Sequence, residues 1–149
     1  MTDQELPYNK FVVDTNIVIY TLKGYEKIVE VMEKLEGDSV EVFYSTIVEA
    51  ELFSFHELTK EQKAKIRAIL NLGEIIDVDS KVALKAAELR SISRKKYQRK
   101  LKLPDAIVAA TAVLCSAVLI TRNVEDFNHL IDHSLQIWNP FARSEPEQS

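Results

Sequence analysis

Two kinds of hydrophobic pattern take turns along this chain: short apolar runs, and apolar residues spaced three and four positions apart. Short apolar runs predict β-strands at residues 10–14, 40–44, 74–79, 117–120 and 135–138, the last of them an edge strand. Between the runs, apolar positions three and four residues apart predict helices over residues 17–22, 25–35, 47–56, 60–72, from 80 onwards and 104–115, with a last helical stripe at Val124, Phe127 and Ile131. Strands separated by helices predict an α/β sandwich with a mainly parallel central sheet.

Glycines and small polar residues mark where several of these helices begin and end. Gly24 and Gly73 stand where two helical patterns stop. Thr59, followed three residues later by Gln62, has the spacing of a capping box, and Ser80 is placed to cap the helix that follows. The predicted elements are therefore joined by short connections.

Size and composition favour one domain. The chain has 149 residues, 46% of them hydrophobic, which is enough to build a single sizeable core. We expect this domain to span residues 1–141 and residues 142–149 to form a disordered tail. Residues 1–10 lack the features of a secretory signal, and the longest apolar run, 106–120, is shorter than the ~20 residues that span a bilayer. With its single cysteine, the sequence predicts a cytoplasmic protein without membrane contact.

Candidate chemistry is concentrated in carboxylates that stand where strands end or helices begin. Asp14 ends the first predicted strand, and Glu51 lies near the start of the helix after the second. Asp105 opens the nearly uncharged helix, and Asp126 follows the fourth strand by one short turn. Because ligands bind at the carboxyl ends of parallel strands, all of these side chains can converge on one edge of the sheet.

Most of these carboxylates also have a purely structural explanation. Asp14 could cap the following helix, Asp105 could complement a helix dipole, and Asp126 could be an N3 carboxylate under an Asn123 cap. Glu51 is harder to explain in this way, because helical spacing places it within an apolar stripe. A carboxylate on a buried face normally needs a partner or a metal ion.

Carboxylates gathered at one site predict a bound cation. Like charges raise one another's pKa values, and an oxygen-seeking divalent cation relieves the repulsion. All-oxygen ligands favour Mg²⁺ or Mn²⁺ over zinc, since His56, His129 and His133 have no metal-ligand spacing to the cluster. Such ions polarise phosphoryl oxygens and lower the pKa of bound water, so the predicted chemistry is phosphodiester hydrolysis.

Four motifs surround these carboxylates in order along the chain: FVVDTN with Asp14, STIVEAEL with Glu51, LPDAIVAATA with Asp105 and LITRNVEDF with Asp126. This ordered set resembles the PIN domain, and specifically the ribonuclease toxins of VapC type, over nearly the whole chain. The resemblance implies a three-layer α/β/α sandwich and a Mg²⁺- or Mn²⁺-dependent endonuclease that acts on RNA. It also implies a homodimer and often a small antitoxin protein that blocks the site.

The resemblance further implies a role for each motif residue. Asp14 and Asp105 are expected to be direct metal ligands, Glu51 a ligand or a water-orienting base, and Asp126 a ligand to a more weakly held ion. Hydrogen-bonding support is implied for three polar side chains: Asn16, Thr121 and Asn123.

The sequence departs from the family pattern at two positions. Glu49, which we interpret as a solvated surface residue on the side of its helix opposite Glu51, replaces a commoner uncharged residue. His56 falls near a position where glycine is frequent. Neither change removes a carboxylate, so the predicted site is unaltered.

Charge adds a candidate RNA-binding surface. The formal net charge of -4 gives no global attraction to nucleic acid, so a basic footprint must be local. Residues 90–102 carry no acidic residue and lead directly to Asp105. We predict RNA contacts there from Arg94, Lys95, Lys96, Arg99 and Lys100. Tyr97 could stack on an unpaired base, but an exposed tyrosine in a basic helix is more often part of an amphipathic surface. A cationic helix C-terminus is also ordinary dipole complementarity, so the charge alone leaves both explanations open.

Two other functions remain compatible with the sequence. A catalytically silent PIN-like RNA- or protein-binding scaffold could keep every carboxylate while its groove is blocked. A phosphatase or phospho-acceptor domain could use Asp14 as its nucleophile, since an Asp at the end of a first parallel strand suits aspartyl-phosphate chemistry. Against the latter, Asn16 and not a second aspartate stands two residues after Asp14, and Glu51 would be unexplained.

Overall fold

In the part of the chain that the structure describes, five parallel strands form one central sheet. The structure is a computed structural model that describes residue 6 and residues 8–141, so the predicted tail at 142–149 lies outside the described residues. The strands are β1 Lys10–Val13, β2 Glu41–Ser45, β3 Glu74–Ile76, β4 Val118–Ile120 and β5 Gln136–Trp138. Their order is β3-β2-β1-β4-β5, and every neighbouring pair is parallel. The predicted parallel sheet and the predicted edge strand β5 are both confirmed.

Helices flank the sheet and give the expected three-layer α/β/α sandwich. They are α1 Thr15–Leu22, α2 Glu26–Lys34, α3 Thr46–Phe53, α4 Lys60–Leu70, α5 Ser80–Tyr97, α6 Leu103–Leu114 and α7 Val124–Phe127, followed by a 3₁₀ helix at Asn128–His133. Across the described residues, no helix combines the length and the apolar character needed to cross a membrane.

The α6 helix is the most deeply buried helix of the fold. All residues from Ala106 to Ala112 are buried, and the helix packs against α5 and against β1, β2 and β4. Its small side chains allow this close approach, and the hydroxyl of Thr111 is satisfied by donating to the Ile107 carbonyl at 2.8 Å. As the sequence predicted, the charged side chain of this helix, Asp105, lies in its first turn.

Helix starts follow the sequence signals with one correction. The capping box of α4 is confirmed, since Thr59 Oγ1 accepts from the Gln62 N–H at 3.0 Å and Gln62 Oε1 accepts from the Thr59 N–H at 2.8 Å. The assignment of Ser80 as a cap is wrong by one residue. Asp79 has the extended backbone of an N-cap, and its carboxylate accepts from the Val82 N–H at 3.0 Å.

Three predicted segments are shorter or differently wound than expected. The α3 helix ends at Phe53 and β3 at Ile76, short of the predicted residues 56 and 79. The stripe through Ile131 is wrong, because residues 128–133 form a 3₁₀ helix that places Leu130 in the core and leaves Ile131 53% exposed. A 3₁₀ helix turns through more degrees per residue than an α-helix, so the helical spacing breaks down there.

Candidate active site

Asp14 is held rigidly at the carboxyl end of the central strand. Its side chain is only 5% exposed because β1 is buried by its neighbours on both sides. Oδ1 accepts from the Thr15 N–H at 2.8 Å, and Oδ2 accepts from Asn16 Nδ2 at 3.0 Å and from Thr121 Oγ1 at 2.8 Å. Burial raises the pKa of Asp14, these hydrogen bonds oppose the rise, and the nearby Glu51 charge adds to it.

A small polar network fixes the turns beside Asp14. Thr121, which is fully buried, accepts from Asn16 Nδ2 at 3.1 Å and from the backbone N–H of Asn123 at 3.0 Å while donating to Asp14. Asn16 Oδ1 accepts in turn from the backbone N–H of Arg122 at 3.0 Å. The strand ends of β1 and β4 are therefore locked together at the site.

Glu51 reaches the same region from α3. Its side chain is half-buried, and Oε1 accepts from the Thr15 hydroxyl at 2.5 Å. The sequence analysis missed Thr15, because nothing in the local pattern links it to a residue 36 positions away. Glu49 is not the free surface residue we expected: it is half-buried and forms an ion pair with Arg67 at 2.8 Å.

The negative charges of the other three carboxylates all act on Asp105. It stands half-buried in the first turn of α6, and its pKa is raised to about 6. Desolvation is the main cause, followed by the negative charges of Asp14, Asp126 and Glu51, and only Lys102 acts in the opposite direction. The site therefore concentrates more negative charge than its own surroundings neutralise.

Asp126 lies four residues before Leu130, a spacing that predicts a side chain leaning toward the apolar side of its helix. In the structure Asp126 is exposed, and Phe127 takes the buried position. Asn123 is the N-cap residue of α7, as the structural alternative has it, but its side chain makes no capping hydrogen bond; its carbonyl accepts from the Asp126 N–H at 3.0 Å. Asp126 still acts on the pKa of Asp105, so it belongs to the electrostatic neighbourhood of the site.

Two adjoining clefts open on this edge of the sheet. The first has a volume of about 370 Å³ and is lined by Asp14, Thr15, Asn16, Ile19, Glu51, Ser54, Phe55, Asp105 and Asn123. The second, of about 300 Å³, shares Asn123 and is also lined by Arg122, Val124, Glu125, Asp126 and Asn139. The structure thus brings Asp14, Glu51 and Asp105 to one cleft and places Asp126 in its neighbour.

The donor set of the first cleft suits an oxygen-seeking divalent cation. Its ionisable groups are carboxylates, and the pKa values of Asp14 and Asp105 are both raised. A bound cation would relieve both shifts. Among the described residues, no three acidic, histidine or cysteine side chains stand close enough to enclose a metal ion.

The predicted basic surface is formed by the end of α5 and the connection to α6. A cleft of about 270 Å³ is lined there by Arg90, Ser91, Arg94, Lys95, Arg99, Lys100 and Leu101. Lys96 is exposed but does not line this cleft. Arg90 Nε donates to the Leu101 carbonyl at 2.9 Å, and the Arg99 guanidinium donates to the Glu125 carbonyl. The basic surface is therefore attached to α7 as well as to the start of α6.

Tyr97 packs against two histidines, which agrees with a structural role for this side chain. Its ring packs edge-on against His129 at 5.3 Å and His133 at 5.8 Å between ring centroids. Its hydroxyl lies 3.0 Å from His133 Nε2. These two histidines pack against α5 and do not line either carboxylate cleft.

An all-parallel α/β/α sandwich with carboxylates at the carboxyl ends of its central strands is the arrangement of the PIN-domain class. The family model of the PIN domain matches residues 11–130, and the chain belongs to this family.

Comparisons with individual proteins agree with this assignment. The chain is 32% identical over 133 residues to Ribonuclease VapC1 of Haemophilus influenzae, covering 86% of this chain and 97% of that protein. It is 26% identical to Ribonuclease VapC2 of Rickettsia felis, covering 87% of this chain and 98% of that protein. Its structure is similar to the crystal structure of VapBC2 from Rickettsia felis bound to a promoter DNA fragment, with a TM-score of 0.75, 25% identity and coverage of 87% and 98%. VapBC-1 from nontypeable Haemophilus influenzae gives a TM-score of 0.72, 25% identity and coverage of 89% and 99%.

Proposed function

We propose that this protein is a metal-dependent endoribonuclease that hydrolyses RNA phosphodiester bonds, and that it is the toxin of a toxin–antitoxin pair. The observation that carries the proposal is the convergence of Asp14, Glu51 and Asp105 on one cleft with too little positive charge to neutralise them. Similarity to proteins named as VapC ribonucleases supports RNA as the substrate.

Each carboxylate has a part in this proposal. Asp14 and Asp105 are metal ligands, Glu51 is a ligand or a water-orienting base, and Asp126 serves a more weakly held ion. When bound, Mg²⁺ or Mn²⁺ supplies Lewis acidity toward a phosphoryl oxygen and lowers the pKa of a coordinated water. The protein contributes the fixed orientation of Asp14 and the hydrogen bond that positions Glu51.

The basic surface is proposed to guide the RNA backbone. Arg94, Lys95, Arg99 and Lys100 line a cleft just before the helix that presents Asp105, and Lys96 adds charge beside them. Phosphates held there would lead the chain toward the carboxylates, and their binding would weaken as salt concentration rises.

A protein partner is part of the proposal. The similar structures include VapBC complexes, which supports a small antitoxin that binds this chain. We also infer a homodimer, on the basis of the family resemblance. Size-exclusion chromatography with light scattering tests the homodimer, and co-expression with the product of a neighbouring small open reading frame tests the antitoxin.

Cleavage of a mixed RNA panel tests the central proposal. Structured and single-stranded RNAs are incubated with Mg²⁺, Mn²⁺ or EDTA, using wild type, Asp14→Asn and Asp105→Asn purified identically. We expect metal-dependent cutting by wild type and its loss in both variants. Glu36→Gln, a change at an exposed position outside both clefts, is the matched control and should cut normally.

RNA-binding and phosphoryl-trapping measurements on the same proteins separate the alternatives. Tight RNA binding without cutting under any metal would favour the silent scaffold. Phosphoryl transfer to Asp14 would favour the phospho-acceptor, although both oxygens of that carboxylate already accept hydrogen bonds. Full cleavage by Asp14→Asn would contradict the proposed nuclease.

A further inference from the structure

A cluster of aromatic rings around Arg122 lies next to the carboxylates. The Arg122 guanidinium carbon stands 4.3 Å from the centroid of the Phe141 ring and 5.1 Å from that of Tyr20. Arg122 Nη1 also donates to the Tyr20 hydroxyl at 2.7 Å. Tyr20 packs edge-on against Tyr25 and Phe141, with ring centroids 4.7 and 4.9 Å apart. These contacts hold the guanidinium in place, and Arg122 nevertheless remains exposed.

This cluster is tied to the carboxylate site through the backbone. The Arg122 N–H donates to Asn16 Oδ1 at 3.0 Å, and Asn16 Nδ2 donates to Asp14 at 3.0 Å. Arg122 and Asn123 both line the second cleft, and Asn123 also lines the first. A group bound against Arg122 would thus lie beside Asn123, which also lines the carboxylate cleft.

We propose that the second cleft binds an unpaired RNA base, stacked on the Arg122 guanidinium. A guanidinium fixed on aromatic rings is a stacking platform for a nucleobase. Asn139 also lines this cleft, and its Oδ1 accepts from the Phe141 N–H at 2.9 Å, which orients its amide. Asn139 and Asn123 supply amide groups for the edge of a base.

The charges of the second cleft favour a base over a phosphate. Glu125 and Asp126 line the cleft together with a single cation, Arg122. In the metal-free protein a phosphate would be repelled by the two carboxylates, whereas the amino group of an uncharged base can donate to Glu125 and leave Asp126 to its ion. Phosphates have a better binding surface in the basic cleft at the end of α5.

The inference rests on the proposed ribonuclease function and adds how the substrate is positioned. The first cleft holds the scissile phosphate, and the second holds a neighbouring base that has left its helical stack. The enzyme would therefore select single-stranded or looped RNA, because a base in a duplex cannot enter the cleft.

Binding of RNA with and without bases tests this proposal. Fluorescein-labelled single-stranded oligoadenylate and an abasic ribose-phosphate oligomer of the same length are titrated in EDTA, where no cleavage occurs. Arg122→Lys keeps the charge but loses the planar group, and Arg94→Lys is the matched control in the basic cleft. Phe141→Leu, which removes a ring beneath Arg122, is the second variant.

We expect wild type to bind oligoadenylate more tightly than the abasic oligomer. Arg122→Lys should weaken oligoadenylate binding roughly tenfold and leave the abasic oligomer unchanged, since stacking acts only on bases. Arg94→Lys should not reduce the preference for bases, and Phe141→Leu should reduce it in the same direction as Arg122→Lys.

Two results would overturn the inference. One is equal binding of the two oligomers by wild type. The other is an Arg122→Lys variant that binds oligoadenylate as wild type does, which would leave the cluster to a protein partner. Because these titrations contain no metal, their failure is separate from failure of the nuclease, which the metal-dependent cleavage assay reports.

Discussion

The Thr15 hydroxyl donates a hydrogen bond of 2.5 Å to Glu51 Oε1 and so joins the first residue of α1 to the middle of α3. Thr15 also donates its backbone N–H to Asp14 at 2.8 Å. One residue therefore sets the positions of two carboxylates that come from distant parts of the chain. Such supporting hydrogen bonds determine how well ligand side chains are oriented.

Replacing Thr15 by valine should impair catalysis without unfolding the protein. Valine keeps the branched shape but leaves Glu51 without its donor, so we expect kcat/KM for RNA cleavage to fall about 10- to 100-fold. Thr15→Ser restores the hydroxyl and should recover most of the activity. If Thr15→Ser is as impaired as Thr15→Val, packing and not the hydrogen bond is responsible.

Neutralising Asp105 should stabilise the metal-free protein. The pKa of Asp105 is raised from 3.8 to about 6, so the folded state keeps a proton that the unfolded chain has released. The free energy of unfolding therefore decreases as pH rises from about 4 to 6. At about pH 7.5 the ionised Asp105 carboxylate destabilises the folded state to its full extent. Because Asp105 is only half-buried, we expect Asp105→Asn to gain on the order of 1 kcal/mol there, or about 3 °C in Tm.

Thermal melts measure the Tm of both proteins without metal, in EDTA, and the change in Tm that Mn²⁺ causes. Mn²⁺ should raise the Tm of wild type and have less effect on Asp105→Asn, because a ligand stabilises only the state that binds it. Glu125→Gln, at an exposed position near Asp126, is the control and should melt like wild type. A lower Tm of Asp105→Asn than of wild type in EDTA would contradict the electrostatic explanation.

Periodicity in the sequence predicted the sheet and the helix order because these depend on which residues are buried. The α6 helix is the clearest case, since its uncharged run could only be buried. Periodicity failed at Ile131, where the chain changes from α-helical to 3₁₀ winding. That change depends on local hydrogen bonding, which the apolar pattern does not encode.

The sequence predicted which carboxylates meet in the first cleft better than it predicted the contacts that they make there. Asp14, Glu51 and Asp105 could be found because carboxylates at strand ends and on apolar helix faces are unusual. The orientation of Asp126 and the role of Thr15 could not, because both depend on how α7 and α1 are rotated against the sheet. Rotations of this kind are set by side-chain packing across elements and not by local sequence.

Gly73 should be intolerant of any side chain. A Cβ atom there would lie 2.6 Å from the Val42 carbonyl oxygen and 3.0 Å from the Tyr44 ring, both within the buried contact of β2. We expect Gly73→Ala to destabilise the fold by about 2 kcal/mol, because the backbone must move apart. Gly37→Ala is the matched control, since its nearest neighbour would be at an ordinary 3.5 Å. Urea unfolding of both variants checks the difference, and equal midpoints would refute it.

His129 should make the fold sensitive to mild acid. Ser93 Oγ donates to the Leu89 carbonyl at 2.8 Å, so toward His129 Nε2, 2.7 Å away, it accepts. That arrangement puts the imidazole proton on Nε2, and Nδ1 is buried without a hydrogen-bond partner among the described residues. Burial, with the charges of Arg99 and His133, lowers the pKa of His129 below its usual 6.5.

The direction of this pH dependence follows from how readily His129 takes up a proton in the folded and in the unfolded protein. Below about pH 6.5 the unfolded chain takes up a proton at His129 while the folded protein resists it, so stability falls as the pH falls toward the lowered pKa. His129→Gln keeps a donor toward Ser93 and cannot titrate in this range. In urea unfolding at pH 7.5 and 5.5, wild type should therefore lose more stability than His129→Gln. Parallel losses in the two proteins would show that groups other than His129 account for the acid sensitivity.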